Sequence, residues 1–110
     1  MKGRILICDD DPIIRLDIRQ ILEQSDYEVA AEASDGFEAI ELCQKHFFDL
    51  VIMDIKLPLL DGLSAGKKIL DDGLAYGVII LSAFNDDHYV QKASLTGASA
   101  YLVKPLDAKS

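Results

Sequence analysis

The sequence predicts an α/β fold: a doubly wound sheet of five parallel strands in the order 2-1-3-4-5, with the final helix absent from this chain. The first observation is that short apolar runs alternate with segments of helical periodicity along the whole chain. The second is that four of the five runs are continuously apolar, as in strands that helices cover on both faces. The remaining run, at residues 27–33, is interrupted by Glu28 and Glu32. That strand belongs at an edge, and right-handed crossovers then allow the stated order.

Composition and length limit the possible classes of protein. A chain of 110 residues suits one domain, and 50% hydrophobic with 27% charged residues is ordinary for a globular protein. The net charge of −8 argues against direct nucleic-acid binding, which needs clustered Lys and Arg. The apolar runs are too short to span a membrane and no signal-peptide pattern is present, so we expect a cytoplasmic protein. Cys8 and Cys43 fall in apolar patterns and are expected to be buried thiols.

The first half of the chain predicts two strand–helix pairs. An apolar run at 5–8 is followed by acidic residues, of which Asp11 can cap a helix that continues to about residue 25. After the strand at 27–33, Asp35 and Glu38 have the spacing of a capping box. The core stripe of the second helix is predicted to comprise Ala39, Ile40, Cys43 and Phe47.

The second half predicts three strands and two helices. A buried strand at 50–53 runs into Asp54, a loop covers 57–62, and a helix spans about 63–70 despite Gly66. A strand at 78–81 ends at Ser82, and a helix is expected over 85–96, closed by Gly97. The last strand, at 100–103, leads into Lys104. A sheet of this kind needs one more helix, so we expect residues 1–110 to be a domain truncated before its last helix.

Polar side chains follow four of the five predicted strands. Asp9 and Asp10 follow the first, Asp54 the third, Ser82 the fourth and Lys104 the fifth. In open α/β sheets, ligands bind at the carboxyl ends of the strands, where the strand order reverses. In the predicted order that point lies between the first and third strands, which supply the aspartates. We therefore expect these side chains to converge on one site.

Three converging carboxylates repel one another unless a cation joins them. Oxygen ligands favour Mg²⁺ over Zn²⁺, which prefers Cys and His. A metal beside a nucleophilic carboxylate, an ammonium group and a hydroxyl is typical of phosphoryl transfer. Each part has a plainer interpretation, because an Asp after a strand is often a helix cap or turn residue. The combination at successive strand ends, in one small domain, is what points to chemistry.

Five short motifs at these strand ends define the family that the sequence resembles. They are Cys8-Asp9-Asp10-Asp11-Pro12, Met53-Asp54-Ile55-Lys56-Leu57-Pro58, Asp61-Gly62, Leu81-Ser82-Ala83 and Tyr101-Leu102-Val103-Lys104-Pro105. With these motifs the chain resembles, over its whole length, the receiver domain of two-component response regulators. The resemblance implies a signalling phosphoacceptor rather than a conventional enzyme. A sensor histidine kinase would be its phosphoryl donor.

The resemblance also assigns roles around the acceptor. It makes Asp54 the phosphoacceptor, and it makes Asp9, Asp10 and Asp54 ligands of Mg²⁺ together with the backbone carbonyl of Lys56. The family usually has Met where Leu57 stands, an apolar exchange of similar size. The Lys56 side chain, two residues past the acceptor, could contact the phosphoryl group or exclude water. The lifetime of the phosphate is therefore left open.

The remaining implied roles concern the switch. By the resemblance Ser82 bonds the phosphoryl group, Lys104 pairs with its charge, and the rotamer of Tyr101 follows phosphorylation. The Lys104–Pro105 peptide is expected to be cis, as in the family. The switch would reshape the face formed by the fourth helix and the fifth strand. Homodimerisation through that face would then control an output domain beyond this chain.

A narrower resemblance rests on surface stretches. Ile14-Arg15-Leu16-Asp17-Ile18, residues 32–39 and Leu59-Leu60-Asp61-Gly62-Leu63 are similar to regulators whose receiver precedes an ANTAR domain, an RNA-binding antitermination module. The predicted output is therefore transcription antitermination. A receiver attached to a DNA-binding output domain is the alternative.

Two rival functions use related folds. A haloacid-dehalogenase-type phosphatase also has a strand-end Asp nucleophile, Mg²⁺ and Lys, but it carries a second Asp where this chain has Lys56. A flavodoxin-like FMN carrier shares the strand order but needs a phosphate-binding loop after the first strand. Asp9, Asp10 and Asp11 would repel a phosphate there in the absence of a metal.

Overall fold

A computed structural model describes residues 3–82, 91–92 and 97–103 of the chain. Five strands and three helices lie in these ranges. In chain order they are β1 Arg4–Cys8, α1 Pro12–Gln24, β2 Glu28–Ala33, α2 Gly36–Lys45, β3 Phe48–Met53, α3 Gly62–Asp71, β4 Ala75–Ser82 and β5 Ala100–Val103. Among the described residues, no helix is long and apolar enough to span a membrane.

All five strands are parallel and lie in the order β2-β1-β3-β4-β5, which confirms the predicted sheet. The half-polar strand β2 lies at one edge, as its glutamates predicted. Its register with β1 shifts by one residue between Ile5 and Leu6, where the structure has a β-bulge. The inner strands β1 and β3 pair without a shift, from Ile5 with Leu50 to Cys8 with Met53.

Apolar side chains pack on both faces of the sheet, which explains the continuous apolar runs of the inner strands. On one face, α2 and α3 cover a core in which Leu6, Val51 and Phe48 are fully buried. On the other face, Ile18 of α1 packs with Ile7 of β1 and neighbouring residues of the sheet. The two thiols are buried, as the sequence predicted, and neither forms a disulfide.

Each of these three helices begins with an aspartate cap. The side chains of Asp11, Asp35 and Asp61 accept hydrogen bonds from the backbone two or three residues ahead, which satisfies amides that have no partner within the helix. The predicted capping box is present with one change. Glu38 reaches back to the backbone amide of Ser34, one residue before the cap, at 2.6 Å.

Two sequence predictions about the core are wrong. The helical period places Phe47 in the apolar stripe of the second helix, but its side chain is 56% exposed and the fully buried ring is that of Phe48. The reason is that α2 already ends at Lys45, so the helical period does not extend to Phe47. The apolar run of the last strand predicts cover on both faces, yet Leu102 is 38% exposed. It pairs with Leu81 on the face of the sheet where Ile18 packs, and the final helix that would cover this face is the one expected to be absent.

Two predictions about the carboxyl-terminal region lie largely outside the described residues. The helix predicted over 85–96 is described only at residues 91–92. The predicted absence of a final helix concerns residues after Val103, where the description ends.

The loop between β3 and α3 is closed by glycine contacts. The amide of Gly62 donates to the carbonyl of Ile55 at 2.8 Å, which returns the chain to the end of β3. A methyl group at Gly62 would overlap the carbonyl oxygen of Asp54, and one at Gly36 would overlap that of Leu60. These two positions therefore require glycine so that α2 and α3 can begin against the loop.

An ion-pair cluster joins α1 to β2. Glu32 accepts hydrogen bonds from Arg15 at 2.9 Å and from Arg19 at 2.8 Å, and the three side chains are partly buried. Burial alone would raise the pKa of the Glu32 carboxyl, but the hydrogen bonds from Arg19 and Arg15 outweigh it and lower that pKa. The ionised form of Glu32 is therefore stabilised in the folded state.

Gly62→Ala should destabilise the domain by about 3 kcal/mol, because a Cβ cannot coexist with the carbonyl oxygen of Asp54. Gly66→Ala is the matched control in the same helix. Its Cβ would lie 3.4 Å from Val78 Cγ1, at ordinary contact distance, and alanine should add up to about 1 kcal/mol of helix stability. Urea unfolding measures both free energies. Equal stability of the two variants would contradict the overlap at Gly62.

Glu32→Gln should lower the free energy of unfolding at pH 7 by about 1 kcal/mol, since it removes the charge that two arginines hold. The folded pKa of Glu32 is below its usual value, so its contribution is complete above the unfolded pKa. It is lost as the pH falls through the folded pKa. The difference in free energy of unfolding between wild type and variant should therefore disappear at acidic pH.

Glu28→Gln in the same strand is the control for the Glu32 variant. Glu28 lies 3.9 Å from Arg4 and both side chains are about half exposed, so its removal should change stability little at any pH. Urea titrations from pH 7 into acid check both variants. A Glu32→Gln deficit that stayed constant with pH would contradict the ion-pair account.

Candidate functional site

Parallel pairing of β1 and β3 places two aspartates side by side. Cys8 pairs with Met53 at the last register position, and the next residues along the two strands are Asp9 and Asp54. The amide of Asp54 donates to the carbonyl of Cys8 at 2.9 Å, which continues the ladder by one bond. This is the point at which the strand order reverses, where the sequence predicted the site.

Three carboxylates meet at this edge of the sheet. Asp9, Asp10 and Asp54 each offer an oxygen atom, and these atoms all lie within 4.8 Å of one another. The Asp9 side chain is 1% exposed and that of Asp54 is 9% exposed, whereas Asp10 is exposed. Charges of one sign this close repel one another, and the repulsion is strongest between the two buried carboxylates of Asp9 and Asp54. The donor set therefore fits a hard divalent cation such as Mg²⁺, with Asp10 on the solvent side.

Backbone amides orient two of the carboxylates. One oxygen of Asp9 accepts from the amide of Asp11 at 2.9 Å, where the chain turns into α1. One oxygen of Asp54 accepts from the amide of Ile55, also at 2.9 Å. Each side chain thus has one oxygen fixed by the chain that follows it, so the carboxylates are held in place before any ligand arrives.

Ser82 and Tyr101 lie on the neighbouring strands. Ser82 is the last residue of β4 and is fully buried, and it pairs in register with Val103 of β5. Tyr101 pairs with Ile80 and its side chain is partly buried. Lys104, the next residue after β5, lies outside the described residues, as does Pro105. The strand order places the ends of β1, β3 and β4 next to one another.

Lys56 begins the loop that follows the third strand. Its side chain is exposed, two residues beyond Asp54. The same loop turns sharply at Leu59, where the amide of Leu60 donates to the carbonyl of Pro58 at 2.7 Å and φ of Leu59 is 69°. This geometry is a γ-turn, and it leaves the Leu59 side chain 80% exposed.

Cys8 brings a thiol next to the carboxylates, but its chemistry does not fit this site. Burial raises the pKa of the Cys8 thiol far above its usual value, and the nearby charges of Asp35 and Asp9 raise it further. The thiol also donates to the carbonyl of Asp35 at 3.4 Å. A protonated, buried thiol is neither a ready nucleophile nor a metal ligand.

Sequence reasoning missed two residues that hold the site together. Gly62 has no Cβ and so leaves room for the carbonyl oxygen of Asp54, and the Asp-Gly pair before α3 was the available signal. Arg15 donates to the carbonyl of Asp9 at 2.6 Å. Its only signal was a position on the polar side of the first helix, which many solvent-exposed arginines share.

Comparison with known proteins identifies the family of this domain. The family model of the response regulator receiver domain matches residues 5–110. Among curated proteins, the transcriptional regulatory protein PdtaR of Mycobacterium tuberculosis is 44% identical over 102 residues, which are 93% of this chain and 49% of that protein. The chain thus spans about half the length of this relative.

A shorter relative is matched over nearly its whole length. The chemotaxis protein CheY of Bacillus subtilis is 40% identical over 108 residues, which cover 98% of this chain and 90% of that protein. Among solved structures, a chain of the CheX–CheY–BeF3–Mg complex from Borrelia burgdorferi is 30% identical with a TM-score of 0.89, covering 97% of this chain and 81% of that one.

The family model and the two relatives agree with each other and with the observed strand order. They cover the strands that bring Asp9 and Asp54 together as well as the helices between them. The resemblance inferred from the strand-end motifs is thereby confirmed. The chain belongs to the response regulator receiver domain family.

Proposed function

We propose that this receiver domain accepts a phosphoryl group on Asp54 from a phosphohistidine of a sensor histidine kinase. The observation that supports this most is the gathering of three carboxylates at the carboxyl edge of the sheet, with Asp54 almost buried and Asp10 open to solvent. Such a site can bind a cation and a phosphoryl group from one side while the other side is closed by the core.

The metal would be Mg²⁺, held by Asp9, Asp10 and Asp54 with the backbone carbonyl of Lys56. The carboxylate oxygens fit a hard cation, and the similar Borrelia burgdorferi complex is one of CheX and CheY with BeF3 and magnesium. When bound, the metal supplies positive charge that offsets the charge on the phosphoryl oxygens. No cysteine or histidine joins the three aspartates among the described residues, which argues against zinc.

In the transfer, an oxygen of Asp54 attacks phosphorus and the phosphorus–nitrogen bond of the phosphohistidine breaks. The bonding pair returns to the imidazole, and the product on this chain is an acyl phosphate. One Asp54 oxygen accepts from the Ile55 amide at 2.9 Å, which orients the carboxylate that would attack.

The new dianionic group would bias a switch. Ser82 lies buried at the end of β4. Its hydroxyl would bond the phosphoryl group, and Lys104 would pair with the charge of that group. Tyr101, on the neighbouring strand, would change rotamer as Ser82 moves. The result is a shift in population between two conformations of the face near β4 and β5.

The output we propose is control of transcription through an output domain that follows this domain, with homodimerisation as the intermediate step. PdtaR is a transcriptional regulator about twice as long as this chain, which fits a receiver with an attached output domain. The surface stretches favour an RNA-binding antitermination domain of the ANTAR type, and the ethanolamine-utilisation regulator is the member that they resemble. A DNA-binding output domain is the second candidate.

Incubation with acetyl phosphate and Mg²⁺ should give a single phosphoryl adduct by intact mass spectrometry. Asp54→Asn should abolish the adduct, because an amide oxygen is a far weaker nucleophile than a carboxylate. Asp26→Asn is the matched control. Asp26 has a positive φ of 69°, which Asn tolerates. It lies just before β2, at the amino ends of the strands and away from the acidic site, so the adduct should persist.

Two results would contradict this function. An adduct that survives in Asp54→Asn would place the acceptor elsewhere. Equal adduct formation by the wild-type protein in EDTA would show that the reaction does not require the metal. Sustained hydrolysis of a generic phosphate ester would instead favour the haloacid-dehalogenase-type phosphatase, whose second Asp is replaced by Lys56 in this chain.

A further inference from the structure

We propose that Arg15 is a positioning residue of the acidic site: its guanidinium fixes the peptide of Asp9 and thereby sets the direction of the Asp9 carboxylate toward the metal. This inference rests on the proposed magnesium site and goes beyond it, because Arg15 is assigned no contact with the cation or the phosphoryl group. It acts through the backbone carbonyl of Asp9, which is 2.6 Å from its Nη1 atom.

The guanidinium of Arg15 makes two bonds in different directions. Nη1 donates to the carbonyl of Asp9, and Nε donates to the Oε1 atom of Glu32 at 2.9 Å. The planar fork of arginine keeps these two donors at a fixed angle, so the position of Glu32 determines where the Asp9 carbonyl is held. With 19% of the Arg15 side chain exposed, water competes little for either bond.

Strand β2 fixes both the backbone amide and the backbone carbonyl of Asp9. The amide of Asp9 donates directly to the carbonyl of Ala33 at 3.1 Å. Its carbonyl is held through Arg15 by Glu32, the residue before Ala33. Two adjacent residues of one strand therefore fix both peptide groups of Asp9, and the amide of Asp11 then orients its carboxylate.

The charge arrangement indicates that Arg15 acts by geometry. Glu32 pairs with Arg15 and with Arg19, and Glu23 also pairs with Arg19, so two carboxylates balance the two arginine charges. A free arginine charge at this place would oppose cation binding. An arginine whose charge is paired with a carboxylate can hold the Asp9 backbone while repelling the cation less.

Arg19 provides a matched control one helical turn away. It donates to Glu32 at 2.8 Å and to Glu23 at 3.3 Å, and these are its polar contacts within the described ranges. It therefore shares the helix, the charge and the main partner of Arg15 but not the bond to Asp9. Loss of Arg19 should loosen the α1–β2 contact without turning the Asp9 peptide.

The experiment is a Mg²⁺ titration by isothermal calorimetry on the unphosphorylated protein, with thermal unfolding measured in parallel. Arg15→Lys keeps the charge and loses the fork, and Arg15→Gln loses both. Both variants should bind Mg²⁺ about tenfold more weakly than wild type, the size of effect typical of outer residues that orient metal ligands. Arg19→Lys and Arg19→Gln should lower the melting temperature yet keep the wild-type Kd within about twofold.

Each outcome of the titration is decisive. Wild-type affinity in Arg15→Lys would overturn the positioning role, and equal weakening in the Arg19 variants would reduce it to general loosening of the fold. Absence of Mg²⁺ binding by the wild-type protein would contradict the proposed metal site itself, which separates the two failures. If Arg15→Gln does not fold, Arg15→Lys carries the test, with circular dichroism as the check on folding.

Discussion

The unshifted parallel pairing of β1 with β3 is the constraint on which the rest of the structure depends. It fixes Asp9 next to Asp54, because the residue that follows each strand continues the same ladder. Every other part of the site is arranged around these two positions. The aspartate caps of the helices, Gly62 and Arg15 hold the backbone that carries the carboxylates. A slip of one residue between the strands would exchange the two faces of the sheet and separate the aspartates.

The cost of that arrangement is electrostatic. Three carboxylates with oxygen atoms within 4.8 Å of one another repel, and local hydrogen bonds offset part of this repulsion. The amides of Asp11 and Ile55 each donate to one of the carboxylates. The acidic site thus lowers the stability of the fold, and the packing of the core and the Glu32 ion pairs offset this loss, as is common for functional sites.

The sequence was most informative where topology alone decides the outcome. Apolar runs identified the strands, and the strand order then required Asp9 and Asp54 to meet, whatever the details of packing. Contacts that depend on side-chain direction were not predictable in this way. Arg15 has many open rotamers on an amphipathic helix, and only the position of Glu32 selects the one that reaches Asp9. The choice between Phe47 and Phe48 likewise depended on the end of α2, to within two residues.

The buried thiol of Cys8 has a consequence for oxidative chemistry beside the phosphorylation site. Oxidants react with the thiolate, and burial together with the neighbouring carboxylates keeps this sulfur protonated and out of contact with peroxide. A signal carried by phosphate at Asp54 would in this way be insulated from the redox state of the surroundings, although a cysteine directly precedes the acidic residues at the end of the first strand.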